Sequence, residues 1–310
     1  MQAASIRIGT RGSPLALAQA HEVQARLAKA HGLPLTAISI TVIKTTGDQI
    51  LDRPLAEIGG KGLFTKEIED ALLANEIDVA VHSMKDMQTA LPDGLSIGAV
   101  LPREDVRDAF ISLKYTNIEA LPLGTTVGTS SLRRQAQLLN VRPDLKIIGF
   151  RGNVQTRLKK LQEGVADATF LAVAGLKRLG LEDRITSPIP ITQMLPAVAQ
   201  GAIGLEIRAG DERAADMIAP LNHEETALAV TAERAFLARL EGSCRTPIAG
   251  HAHLDGGKLM FSGQVLSPDG RKDYSVSRNG SPERALDIGF GAADDVLSHA
   301  DPETLVRSSA

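Results

Sequence analysis

The first 180 residues of this chain alternate short β-branched runs with longer stretches of helical periodicity. That alternation restricts the fold to strand–helix–strand units and implies an α/β class with a largely parallel sheet. Strands are expected at residues 6–10, 38–44, 77–81 and 95–100, and again at 109–112, 126–128, 146–150 and 168–173. Ser13-Pro14 reads as an N-cap followed by proline in the first helical position. The helix it opens runs to about residue 30, with Leu15, Ala18, Val23 and Leu27 as inward candidates. Further helices are expected at 65–75, where Ile68 and Leu72 share a face, and at 131–140, 153–163 and 174–179. The charged, proline-containing stretch 101–107 suits a linker between two α/β units. Beyond residue 223 the pattern changes to one long helix, strands meeting at the turn signals Asp255-Gly256 and Asp269-Gly270, and a last helix at 282–299. This α+β order marks a separate C-terminal domain.

Composition removes several classes of function. The chain has 310 residues and a formal net charge of −3, with 3% aromatic residues and no tryptophan. That balance disfavours nucleic acid, which calls for basic surfaces and, for single strands, aromatic stacking platforms. A single cysteine excludes an internal disulfide and suits a reducing, cytoplasmic setting. No apolar signal segment is visible in residues 1–12, and the longest apolar runs are too short to span a bilayer, so no membrane partner is expected.

Against this acidic background, two strand-to-helix turns concentrate arginine. One reads Gly128-Thr129-Ser130-Ser131-Leu132-Arg133-Arg134 and the other Arg151-Gly152-Asn153-Val154-Gln155-Thr156-Arg157. Helix starts present free N–H groups and the positive end of the dipole. Guanidinium forks added there favour carboxylates or phosphates. Ligands of open α/β sheets sit beyond the carboxyl ends of the strands, where both turns fall. A small polyanion is the first inference, and ion pairing of each arginine with a surface acid is the alternative. Lys159 and Lys160 read as solvated helix surface.

Other candidates also fall at strand exits. Lys85 and Asp86, in Val81-His82-Ser83-Met84-Lys85-Asp86, set an ammonium beside a carboxylate, suited to holding an anion while offsetting developing positive charge. An ordinary loop ion pair is the alternative. Arg11 closes the first strand, and Ser13 caps the next helix with or without a ligand contact. Gly59-Gly60-Lys61-Gly62-Leu63-Phe64 lacks P-loop spacing and reads as a mobile lid carrying Lys61 and an exposed Phe64, or as a plain turn. Cys244 lies between Ser243 and Arg245 in a polar loop. It is either a small buried hydrophobe or a thiol whose thiolate the nearby charge favours. His251 and His253 alternate on one strand and read as solvent-facing, and no metal site is expected.

Taken together these segments resemble the porphobilinogen deaminase family, also called hydroxymethylbilane synthase. The resemblance runs through Arg11-Gly12-Ser13-Pro14-Leu15-Ala16, Gly59 to Phe64, Val81 to Asp86, Gly128 to Gln135, Arg151-Gly152-Asn153, Leu171 to Arg178, Leu195-Pro196-Ala197-Val198 and the loop around Cys244. It is weakest beyond Cys244. It departs from the family pattern at Met87-Gln88, where an apolar residue and proline are usual.

The resemblance implies a monomeric transferase of tetrapyrrole (porphyrin and heme) biosynthesis. Such an enzyme joins four porphobilinogen molecules head to tail with loss of ammonia and frees linear hydroxymethylbilane with water. It implies a dipyrromethane cofactor, bound by a thioether to Cys244, and Asp86 as the catalytic acid that stabilises a cationic azafulvene. Lys85, Ser131, Arg133, Arg134 and Arg157 resemble the family's cofactor-carboxylate ligands. Arg11, Ser13, Arg151 and Arg178 resemble its substrate-side or chain-side contacts, and Lys61 and Phe64 belong to its active-site loop. The implied fold is two periplasmic-binding-protein-like (type II) α/β domains around a cleft, plus a small α+β domain. Residues 1–101 with 196–219 form domain 1, 107–195 domain 2 and 223–310 domain 3. A non-catalytic binding protein for an organic anion is the competing class, but it has no use for Cys244 or the Lys85-Asp86 pair.

Overall fold

Alternate residues of a strand face opposite sides of its sheet, so a strand covered on both faces must be apolar throughout. The strands Val79–Ser83, Ile203–Arg208, Asp108–Ser112 and Ala168–Ala172 are almost wholly buried and mostly apolar, with His82, Glu206 and Asp108 as charged or titratable exceptions. The structure, a computed structural model, describes residues 6–49, 62–240 and 246–301. The chain divides into two compact units, the first formed by residues 6–49, 62–104 and 201–227, the second by 105–200, 228–240 and 246–301.

In the first unit, β1 (Ile6–Arg11), β2 (Ile38–Ile43), β3 (Val79–Ser83), β4 (Leu95–Val100) and β10 (Ile203–Arg208) form one sheet of order β2-β1-β3-β10-β4. Helix α1 (Pro14–His31) lies on one face; α2 is a short turn (Thr46–Gln49), and α3 (Lys66–Leu73) covers the other face. Val79 and Val81 join Val23 and Leu27 of α1 in one core, while Ala80 joins Ile68 and Leu72 of α3 in the other. The Ser13 Oγ accepts from the Ala16 N–H at 3.2 Å, Pro14 opens α1, and Gly32 ends it at φ +61°. The buried face of α1 differs from the expected one. Ala16, Gln19 and Ala20 are buried with Val23 and Leu27, whereas Leu15 and Ala18 are half-buried. Gln19 tolerates burial because its Nε2 donates to Ser83 Oγ at 2.8 Å.

In the second unit, β5 (Asp108–Ser112), β6 (Thr126–Gly128), β7 (Lys146–Ile148), β8 (Ala168–Ala172) and β9 (Ser187–Pro188) form a sheet of order β7-β6-β8-β5-β9. Helices α4 (Leu132–Val141), α5 (Val154–Gln162) and α6 (Val173–Arg178) follow β6, β7 and β8. Phe110 and Phe170 pack 6.0 Å apart in the core beneath α4.

Both five-stranded sheets are mixed, which corrects the expectation of largely parallel ones. β1 pairs parallel with β2 and β3, but β10 runs antiparallel to β3 and β4. β6 pairs parallel with β7 and β8, but β5 runs antiparallel to β8 and β9. Local alternation identifies strands but carries no information on a partner more than a hundred residues away.

Helix α7 (Glu212–Ile218) packs on the first sheet. Helix α8 (Glu224–Arg239) leads to an antiparallel meander of β11 (Ile248–Asp255), β12 (Lys258–Leu266) and β13 (Asp273–Gly280), closed by α9 (Ala285–His299). Gly256 and Gly257, at φ +53° and +77°, make the two-residue hairpin turn between β11 and β12. Phe236 of α8 and Phe261 of β12 pack at 5.0 Å in this subdomain's own core. His251 and His253 stack at 5.3 Å, His253 being exposed and His251 half-buried. No described helix is long and apolar enough to cross a membrane.

The β12–β13 turn docks on α4. Asn140 Nδ2 donates to Gly270 O at 2.7 Å, and a Cβ on Gly270, at φ +73°, would lie 2.5 Å from Ala136 O. Gly270→Ala is therefore expected to cost about 1–3 kcal/mol through backbone overlap, read as a lower urea midpoint. An unchanged midpoint would show that the turn does not need this approach.

Candidate active site

Of the predicted site residues that are described, Arg11, Ser13, Lys85 and Asp86 fall at strand exits of the first sheet and Ser131, Arg133, Arg134, Arg151 and Arg157 at those of the second, whereas Arg178 ends a helix. On the first sheet, β1 ends at Arg11 and β3 runs into a 3-10 turn, Met84–Asp86. Met84 is the anchor of that turn: it is buried, its N–H donates to Ala202 O at 3.0 Å, and it fills space that a Cβ on Gly204 would occupy, 2.0 Å from its Sδ. Lys85 and Asp86 are exposed. The Arg11 guanidinium lies 4.2 Å over the Phe64 ring. Phe64 is half-buried and closely packed on Gly47, which corrects the expectation of a free, exposed ring. Lys61 and Cys244 lie outside the described residues.

On the second sheet, Ser131 is the N-cap of α4, its Oγ accepting from the Arg134 N–H at 3.4 Å. Asn153 caps α5, accepting from the Thr156 N–H at 2.9 Å. The two arginine turns are tied together, since the Phe150 N–H donates to Ser130 Oγ at 2.8 Å and the Thr129 N–H to Ile148 O at 2.9 Å. Arg151 and Arg157 are half-buried, and Arg157 Nε donates to Gly152 O at 2.8 Å. Arg178 closes α6, half-buried, where a cation complements the dipole. Lys159 is exposed as expected, but Lys160 is not plain surface: its Nζ donates to Arg151 O at 3.0 Å and lies 5.8 Å from the Phe150 ring centroid.

Arg133 and Arg134 are not solvent-facing forks. They are 6% and 5% exposed and grip the two oxygens of Asp108, which is wholly buried. Arg133 Nη2 reaches Asp108 Oδ2 and Arg134 Nη2 reaches Oδ1, both at 2.7 Å. The Nη1 atoms donate at 2.8 Å to Leu195 O and Phe170 O respectively. Gln200 Nε2 also donates to Asp108 Oδ1, at 3.0 Å. Two guanidiniums face one carboxylate, so the cluster keeps one net positive charge.

Burial alone would push the Asp108 carboxyl up, but Arg133 and then Arg134 outweigh it and hold that carboxyl far below the usual range. The Nε atoms of both arginines, and Nη1 of Arg151, are buried without a partner among the described residues. Buried cationic donors left open in this way call for an acceptor. Asp108 was not legible as part of the site. It borders the charged run 101–107 and reads as the end of a linker, and its only sequence signal is an acid directly ahead of the apolar run Ala109-Phe110-Ile111.

Asp108→Asn leaves two buried cations without a counter-charge, an expected loss of about 3–5 kcal/mol. The native carboxyl is held below its unfolded value, so its contribution is present above the ordinary carboxylate range near about 4 and shrinks as the pH falls below it. Urea unfolding of both proteins should therefore converge on acidification, and a pH-independent gap would contradict this assignment.

Residues 6–216 match the family description "Porphobilinogen deaminase, dipyromethane cofactor binding domain", and residues 227–298 match "Porphobilinogen deaminase, C-terminal domain". The chain is 60% identical over 295 residues to the porphobilinogen deaminase of Paracoccus denitrificans, covering 95% of this chain and 94% of that one. It is 56% identical over 305 residues to the chloroplastic porphobilinogen deaminase of Pisum sativum, covering 96% and 83%. It is 55% identical over 293 residues to that of Nitrobacter winogradskyi, covering 94% and 93%. The chain belongs to the porphobilinogen deaminase family.

Proposed function

We propose that this chain is a transferase that joins four porphobilinogen molecules head to tail, releasing ammonia at each step and linear hydroxymethylbilane by hydrolysis. The observation that carries the reading is the set of buried guanidinium donors on Arg133, Arg134 and Arg151 at one sheet edge, without a partner among the described residues, in a chain of this family. Those donors fit a dipyrromethane, whose two pyrroles bear acetate and propionate groups. Arg133, Arg134, Arg157, Lys85 and the Ser131 hydroxyl would hold its carboxylates, and a thioether to Cys244 would fix it to the chain. When bound, the cofactor supplies the pyrrole carbon to which the first substrate unit is joined.

The remaining roles belong to the chain's own residues. Arg11, Ser13, Arg151 and Arg178 would bind and orient substrate and product carboxylates by charge-assisted hydrogen bonds. As the C–N bond to ammonia breaks, positive charge spreads over the substrate pyrrole, and the Asp86 carboxylate would offset it. The same carboxylate would take the proton lost when the new C–C bond forms, and return it to the medium. The fixed turn at Met84 supports this role, because it holds Lys85 and Asp86 outward at the strand exit. Lys61 and Phe64 would belong to a covering loop. The sequence division into residues 1–101 with 196–219, 107–195 and 223–310 is proposed as three domains, the last carrying the cysteine. A monomer working in the cytoplasm completes the proposal; a reducing compartment would leave Cys244 available for the thioether.

Intact-mass measurement tests the attachment. The purified chain should exceed its translated mass by two linked pyrroles, and Cys244→Ala should carry no such excess. A competent enzyme of translated mass alone would overturn the thioether. Asp86→Asn should keep the bound mass and the fold while turnover falls by about 10²–10⁴-fold. A near-normal rate in that variant would remove Asp86 from the chemistry.

A further inference from the structure

The first sheet carries a buried polar cluster on its α3 face that the proposed chemistry does not use. His82, one residue before the end of β3, lies opposite Gly204 in the ladder with β10, and Glu206 lies two residues further along β10 on the same face. His82 Nε2 and Glu206 Oε2 are 2.9 Å apart. Glu69 projects from α3 onto that face, which its neighbours Ile68 and Leu72 cover with apolar contacts. Glu69, Glu206 and His82 are 3%, 0% and 5% exposed. Glu69 Oε1, Glu206 Oε1 and the hydroxyl of Thr65, one turn before Glu69, are all buried without a hydrogen-bond partner among the described residues, so the one hydroxyl donor cannot serve both carboxyl oxygens.

Two buried carboxyl groups with open oxygens between α3 and one face of the sheet, only Glu206 bonded to an imidazole, are a costly arrangement if both are ionised. A single proton removes the cost, because it turns one open oxygen into a donor for the other. We infer that Glu69 carries a proton at neutral pH and donates it to Glu206, so that Glu69, Glu206 and His82 form a latch fixing α3 to β3 and β10 and positioning the Lys85–Asp86 turn.

The surroundings agree. Burial pushes the Glu69 carboxyl up; the Thr65 hydroxyl, as a neighbour able to hydrogen-bond, opposes this, Glu206 adds to it, and His82 opposes it more weakly. The other ionisable groups on the elements packed around Glu69 are engaged elsewhere or exposed. On β1, Arg7 pairs with Asp78 and Arg11 stacks on Phe64. On β10, Arg208 pairs with Asp211. β4 has no ionisable side chain, and on α3 itself Lys66 and Asp70 are exposed while Glu67 accepts from the Thr46 N–H. The latch reaches the turn by a short path, since Met84 follows His82 by two residues and is held by Ala202, just ahead of β10, and packed on Gly204 within it.

The positioning step rests on the proposed role of Asp86, but the proton assignment does not, and its tests need no substrate. Isotope-edited NMR of the glutamate carboxyl carbons in the wild-type chain should show one group titrating well above the ordinary glutamate range, absent from Glu69→Gln. If every glutamate titrates normally, the inference fails whether or not the variant folds. Glu69→Gln keeps a donor where the acid had one and cannot ionise. The native Glu69 binds its proton more tightly than the unfolded chain does. Wild-type stability relative to the variant should therefore fall as pH rises from the ordinary glutamate value to the raised native one; a flat difference would overturn the assignment. In turnover, Glu69→Gln should retain kcat at neutral pH and shift the alkaline limb of the kcat–pH profile, and superimposable profiles would refute the positioning role.

Discussion

The second unit depends on one carboxylate. Asp108 stands at the first position of β5, fully buried, with Arg133 and Arg134 on its two oxygens and Gln200 on one of them. Two adjacent guanidiniums in a protein interior repel one another and lose hydration. With Asp108 between them they become a rigid cationic corner whose remaining Nη donors are fixed by Leu195 and Phe170 carbonyls. Gln137 strengthens the corner by holding the Leu195 N–H at 2.7 Å. A site for polycarboxylates needs cations that do not swing away when the ligand is absent, and preorganisation of this kind lowers the cost of binding.

The first unit solves the same problem by asymmetry between faces. The α1 face of its sheet is apolar, through Val79, Val81, Ile203 and Leu205. The α3 face mixes Ala80 and Gly204 with His82 and Glu206. The glycine admits Met84, and Met84 sets the turn that presents Lys85 and Asp86. Chemistry at the strand exit thus rests on a small residue one strand away, in addition to the polar cluster beneath it.

Most of the elements were legible in the sequence because their signals are local. Ser13-Pro14 opens α1, the β-branched run at Ile38 marks β2, and Asp255-Gly256 marks the hairpin. The positions of Arg133, Arg134, Arg151 and Arg157 at helix starts were legible for the same reason. What local patterns could not give were pairings between distant residues. The antiparallel insertion of β10 joins residues 80–83 to 203–206. Asp108 meets Arg133 and Arg134 only when β5 and α4 are brought together, and Glu69 becomes buried only when α3 lies on the sheet. Lys160 was misread because a polar side chain with a semi-buried partner has the same letter as one in water.

The strand order of the first sheet also bears on how the chain is made. β10 lies between β3 and β4, so neither can be flanked on that side until residues 203–208 have left the ribosome. The five strands of the second sheet, by contrast, all lie within residues 108–188. A nascent polypeptide therefore completes its later-encoded sheet first, reversing the usual N-to-C order of domain maturation. During that interval the facing edges of β3 and β4 have no strand between them.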